Sequence, residues 1–175
     1  MKVEKIILID ADVISHFFVG GYILLLPKIF PFKIKILDKV YKELEKTPGR
    51  RADVQNLINM KLFEAISFPE DDEQIKREYL RLRDKEFKGD GESACMAVAR
   101  FSENILASSN LKDIKDYCIT HRITYLTTMD FLCHALNTKL MSIKECNEFL
   151  SRTKAAKQRL PFGKMEDHQC RKILY

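Results

Sequence analysis

Acidic side chains recur directly after short apolar runs in this chain. Asp10 and Asp12 follow Ile6–Ile9. Glu43 and Glu45 lie on the segment after Ile34 and Ile36, Asp90 and Glu92 open a densely apolar stretch, and Asp113 and Asp130 come after later runs. In an open parallel sheet, ligands bind beyond the carboxyl ends of the strands, so these are positions placed to act. Carboxylates gathered there repel one another, and burying them uncompensated is costly, so the group calls for a cation. All-oxygen donors suit Mg²⁺ or Mn²⁺. A local reading stands beside this one. Asp is a favoured helix N-cap, and Asp10 or Asp12, Asp90 and Asp130 each stand at a predicted helix start. Glu43 and Glu45 both flank the apolar stripe of their helix, so wheel position does not choose between them.

The elements that would position these residues follow from the hydrophobic pattern. Ile6–Ile9 is too short for a helix and reads as a buried parallel strand. Val13–Val19 reads as a helix broken by Gly20-Gly21, and Tyr22–Lys28 as a further turn or two stopped by Pro27 and Pro31. Ile34 and Ile36 mark a second strand, and Leu37, Val40, Tyr41 and Leu44 recur at helical spacing up to Pro48-Gly49. Beyond lie a helix over Arg51–Met60, a strand over Leu62–Phe68 and a charged, largely solvent-facing helix over Asp71–Phe87, in which Lys76–Arg83 reads as alternating surface charge. Gly89-Asp90-Gly91 punctuates the chain before a buried helix from Glu92. Strand Ile105–Ser108, helix Leu111–His121, strand Ile123–Leu126, helix Met129–Asn137 and a last helix over Ile143–Ala156 complete the pattern. This alternation predicts an α/β fold, a three-layer α/β/α sandwich with a central, mostly parallel sheet of about five strands.

Charge is unevenly placed. Residues 1–150 hold 23 basic and 23 acidic side chains, whereas 151–175 hold seven basic and two acidic, so the tail carries the whole net charge of +5. That argues against an all-over basic nucleic-acid wrapper and an acidic disordered chain, and predicts a domain over 1–150 with a basic, loose or partner-dependent tail over 151–175. No apolar run, Tyr22–Leu26 included, approaches the roughly 20 residues that cross a bilayer. The N-terminus from Met1 lacks a signal peptide's apolar core, so the expectation is a cytoplasmic protein with no membrane contact. Cys95, Cys118, Cys133, Cys146 and Cys170 are odd in number and never form Cys-x-x-Cys, which predicts reduced thiols and no structural zinc. No phosphate-cradling glycine motif and no Gly-x-Ser-x-Gly elbow is present.

Three motifs together resemble the PIN-domain nucleases. Ile7-Leu8-Ile9-Asp10-Ala11-Asp12-Val13-Ile14 is similar to that family's opening strand and first acid, Val40-Tyr41-Lys42-Glu43-Leu44 to its second, and Gly89-Asp90-Gly91-Glu92-Ser93-Ala94 to the start of its buried central helix. The likeness spans roughly residues 3–150. It implies a PIN-like sandwich in which Asp10, Glu43 and Glu92 are catalytic and, with Asp90, hold Mg²⁺ or Mn²⁺ for endonucleolytic cleavage of RNA. It favours Glu43 over Glu45. The family's fourth acid is replaced by Ser108-Ser109-Asn110, with Asp12, Asp113 and Asp130 as possible supporting acids. The tail cations Lys154, Lys157, Arg159 and Lys164 would track an RNA strand. The resemblance further implies a homodimeric toxin silenced by an antitoxin protein. A PIN-like module that has lost catalysis and binds RNA or a protein is the alternative. A haloacid-dehalogenase-type phosphatase is a third reading: Asp10 would be its phosphoacceptor, Asp12 its general acid and Gly89-Asp90-Gly91 its metal motif. Ser93-Ala94 after that motif, and the late position of Ser108, depart from its pattern.

Overall fold

The structure is a computed structural model and describes residues 4–86 and 89–175. Its five strands are β1 (Ile6–Ile9), β2 (Lys33–Leu37), β3 (Glu64–Ile66), β4 (Ile105–Ala107) and β5 (Tyr125–Leu126). All pair in parallel, in the order β3-β2-β1-β4-β5. The helices among the described residues are α1 (Ala11–Gly20), α2 (Leu26–Ile29), α3 (Asp38–Leu44), α4 (Arg50–Asn59), α5 (Glu73–Arg81), α6 (Asp90–Arg100), α7 (Leu111–His121), α8 (Thr128–Asn137) and α9 (Ile143–Ala155). They flank the sheet in the expected three-layer α/β/α arrangement. None of these helices is long and apolar enough to cross a membrane.

The apolar runs explain the centre. Ile7, Leu8 and Ile9 are fully buried, as are Ile105, Leu106 and Ala107 of the neighbouring strand, which is the composition of strands covered on both faces. The chain lays down β1, β2 and β3 toward one edge, then returns to add β4 and β5 on the other side of β1. The change of direction falls between β1 and β4, where Ile7 pairs with both Ile34 and Ile105. A crevice beyond the carboxyl ends is expected at such a switch point.

Several boundaries differ from the pattern for local reasons. Asp10 caps α1 by accepting from the Ala11 N–H, so that helix starts two residues before its apolar run. Pro27 sits in the first turn of α2, where a missing N–H costs nothing, and so begins that helix rather than stopping it. The charged helix ends at Arg81 and continues as a π-helical turn over Leu82–Glu86; its expected end at Phe87 lies outside the described residues. Ile75, Glu78, Tyr79 and Leu82 form a buried stripe along it. Glu78 there accepts from Arg81, Tyr117 and Arg100, tying α5 to α6 and α7. Gly20 lets α1 meet α9 closely, because a Cβ there would stand 2.2 Å from the Phe149 ring.

The boundary at residue 150 falls inside α9, and the segment expected to be loose is laid against the body. Met165 is buried and its N–H donates to Asn147, whose amide reaches Glu166. Arg171 pairs with buried Asp130 at 2.7 Å, and the Tyr175 ring meets Phe30 and Phe32 edge-on. Cys133 and Cys170 form a disulfide, against the expectation of thiols throughout. Only the return of the tail across α8 brings these two together, and sequence spacing carries no sign of it.

Candidate active site at the switch point

Each acid reaches the crevice through its own element. Asp10 ends β1 and Asp12 lies in the first turn of α1. Glu43 projects from α3, and its Oε1 accepts the Gly91 N–H at 2.8 Å, so the second acid caps the helix that bears the third. That contact needs Gly91: a Cβ there would lie 2.9 Å from Val40 Cγ2 and 3.0 Å from Glu43 Oε2. Glu45 instead ends α3 and pairs with Arg51, which separates the two glutamates that helical-wheel position left equivalent.

Glu92, 6% exposed, accepts from Ser108 Oγ at 3.2 Å and Asn110 Nδ2 at 3.4 Å. Asn110 Nδ2 also reaches Asp113 at 2.5 Å. Ser108 and Asn110, standing where the resemblance expects an acid, therefore orient Glu92 as donors. Asp12 accepts the Ser109 N–H at 2.8 Å and so holds the turn that carries them. Ser109 Oγ donates to Thr128, which in turn meets His16 Nδ1 at 2.8 Å; α1, α8 and the β4–α7 turn are locked together behind the acids.

Electrostatics mark the group. Burial, reinforced by Asp12, Glu92 and Glu43, raises Asp10 well above the usual carboxylate range. Burial pushes Asp12 up to about 6 and Glu92 up to about 7, the latter helped by the charges of Asp12 and Asp113. Among the described residues no basic side chain forms an ion pair with Asp10, Asp12, Glu43 or Glu92. Nor do any three of these residues each bring an oxygen within 4.8 Å of the other two. Like charges held this close repel one another, and a cation is what would draw them together. Their donor set, all oxygen and anionic, fits a hard divalent ion.

Other expected residues stand apart. Asp90 accepts from the Tyr79 hydroxyl, which Arg83 also bonds, so it is held at the rim. Asp130 forms a capping box with Thr127 and pairs with Arg171, which makes it a cap. Lys154, Lys157, Arg159 and Lys164 are exposed around the end of α9. Tyr79, Thr128 and His16 escaped sequence reasoning. His16 follows Asp12 by four residues and so shares its helix face, the one signal available. No protein-family model matches the chain, and neither a curated protein nor a solved structure matches it.

Proposed function

We propose that the chain is a Mg²⁺- or Mn²⁺-dependent endoribonuclease of the PIN-domain type. The observation that carries the reading is the closeness of Asp10, Glu43 and Glu92, with Asp12 beside them, near the β1/β4 switch point, where the other three charges act on Asp10 and none of the four acids has a basic partner among the described residues. Asp10, Glu43 and Glu92 would hold the cation. When bound, it supplies Lewis-acid polarisation of the scissile phosphate and lowers the pKa of the attacking water. Ser108 and Asn110 fix the Glu92 carboxylate, the Glu43–Gly91 bond fixes α3 against α6, and Asp12 anchors the turn between β4 and α7. Asp12 is thereby committed to backbone N–H groups, which disfavours the phosphatase reading that needs it as a general acid.

Single-stranded RNA is the proposed substrate, with Lys154, Lys157, Arg159 and Lys164 tracking its backbone. A cytoplasmic toxin, dimeric and held by an antitoxin, remains part of the proposal through the resemblance alone. The test is calorimetric Mn²⁺ titration of wild type and an Asp10→Asn/Glu92→Gln double variant, then incubation of both with labelled single-stranded RNA. Wild type is expected to bind the ion and cut while the double variant does neither. Binding without cutting would favour the degenerate module, for which Ser108 in the fourth acidic position is the motive. Binding by neither protein would sink the metal site.

A further inference from the structure

A second cluster of metal-ligating side chains lies on the C-terminal segment, independent of the carboxylate crevice. One ligand atom each from Cys133, His168 and Cys170 fall within 4.8 Å of one another. His168 Nε2 is buried and has no hydrogen-bond partner. The imidazole packs against the Phe162 ring, and with the two cysteines joined its Nε2 has nothing to bind. Two anchors that do not depend on the sulfur–sulfur bond hold the segment in place. Before the cluster, Met165 is buried and bonded to Asn147; after it, Arg171 clamps Asp130 and donates to the Tyr125 carbonyl. Cys133 itself is fixed on α8. With the bond opened, both sulfurs and the imidazole would therefore stay close, and the Cα–Cα distance of 5.8 Å leaves room for the roughly 3.8 Å sulfur separation of a tetrahedral site with Zn–S near 2.3 Å.

The geometry points to a thiophilic divalent cation site, Zn²⁺ in chemical class, formed by Cys133, Cys170 and His168 when the cysteines are reduced, with the fourth position open to water. Two thiolates and an imidazole are soft donors that discriminate against Mg²⁺. The chemistry balances: a dithiol reductant delivers two electrons and two protons to the disulfide and itself becomes a cyclic disulfide. Zn²⁺ then displaces two thiol protons, which leaves a neutral Zn(Cys)₂His centre. The cation and the disulfide are alternative fasteners of one segment to α8.

The test uses the full chain, reduced with a phosphine and stripped of metal, titrated with Co²⁺. One equivalent is expected to give the near-ultraviolet sulfur-to-cobalt charge-transfer band, together with visible bands of tetrahedral intensity. Cys133→Ser or Cys170→Ser abolishes that band, and His168→Ala lowers the affinity at least tenfold. Asp10→Asn/Glu92→Gln keeps it, because carboxylates give no thiolate transition, so the result is separable from the fate of the nuclease reading. Zn²⁺ should also protect Cys133 and Cys170 from iodoacetamide in the wild type, a readout that needs no variant to fold. Absence of the band in reduced wild type, its persistence in Cys170→Ser, or unchanged affinity in His168→Ala overturns the site.

Discussion

Glu92 and Asp12 hold protons that the unfolded chain would release. In the fold they titrate near 7 and near 6, against roughly 4 when solvated. The unfolded state therefore loses these protons first as pH rises, and the stability of the metal-free protein falls between about pH 4.5 and pH 7. Thermal melts in EDTA should show a lower midpoint at pH 7.5 than at pH 5.5. Glu92→Gln should flatten that slope and raise stability at pH 8 by about 2 kcal/mol, while removing Mn²⁺ binding. Because Asp12 and Asp10 keep part of the slope, only a slope undiminished by the substitution would mean that the Glu92 carboxylate is solvated. Glu78 works in the opposite sense. Burial alone would raise it, but the bonds from Arg81, Tyr117 and Arg100 prevail and take it down to about 2. Its contribution is complete above about pH 4.5 and disappears as pH falls through 2, so acid melts of Glu78→Gln should converge with wild type there.

At the scale of elements, the meeting of α3 and α6 at Gly91 sets the second and third acids. Gly91→Ala should push Val40 and Glu43 aside, costing about 1 to 3 kcal/mol of stability and lowering Mn²⁺ affinity; Gly20→Ala, against Phe149, should cost as much stability and leave the affinity alone. Calorimetry on both variants separates the two effects. Strand and helix order was legible because Ile6–Ile9 and Ile105–Ala107 are short, wholly apolar and followed by polar residues, and the parallel sheet followed from alternation. A wider group of acids was legible from its places around the apolar runs, and only the resemblance singled out Asp10, Glu43 and Glu92 within it. Hydrogen-bond partners were not. Nothing in composition says that Asp130 would face Arg171, that Asp90 would turn to Tyr79, or that Ser108 and Asn110 would donate to Glu92, because each depends on contacts between elements far apart in sequence. The ends of β3 were misjudged because Leu62 and Phe68 are apolar for packing outside the ladder.

For the whole molecule, the C-terminal segment closes one side of the fold through Arg171, Cys170 and Tyr175. Arg171→Ala leaves Asp130, 3% exposed, without its cation, and should cost about 1 to 3 kcal/mol, read by chemical denaturation. Alanine at Lys154, Lys157, Arg159 and Lys164 together should weaken RNA binding across sequences and reduce its salt dependence, with the Mn²⁺ affinity unchanged. The strand order has a consequence for biosynthesis. Because Ile7 finds its partner Ile105 only after β2, β3 and α6 have been made, and Ser108 and Asn110 come later still, a nascent chain holds Asp10 and Glu43 long before it can assemble the crevice. A ribosome-bound fragment ending before β4 carries Asp10, Glu43 and Glu92 but lacks the Ser108 and Asn110 donors that orient Glu92. On the proposed nuclease reading, the chain would thus stay harmless to the message being translated until the central sheet is complete.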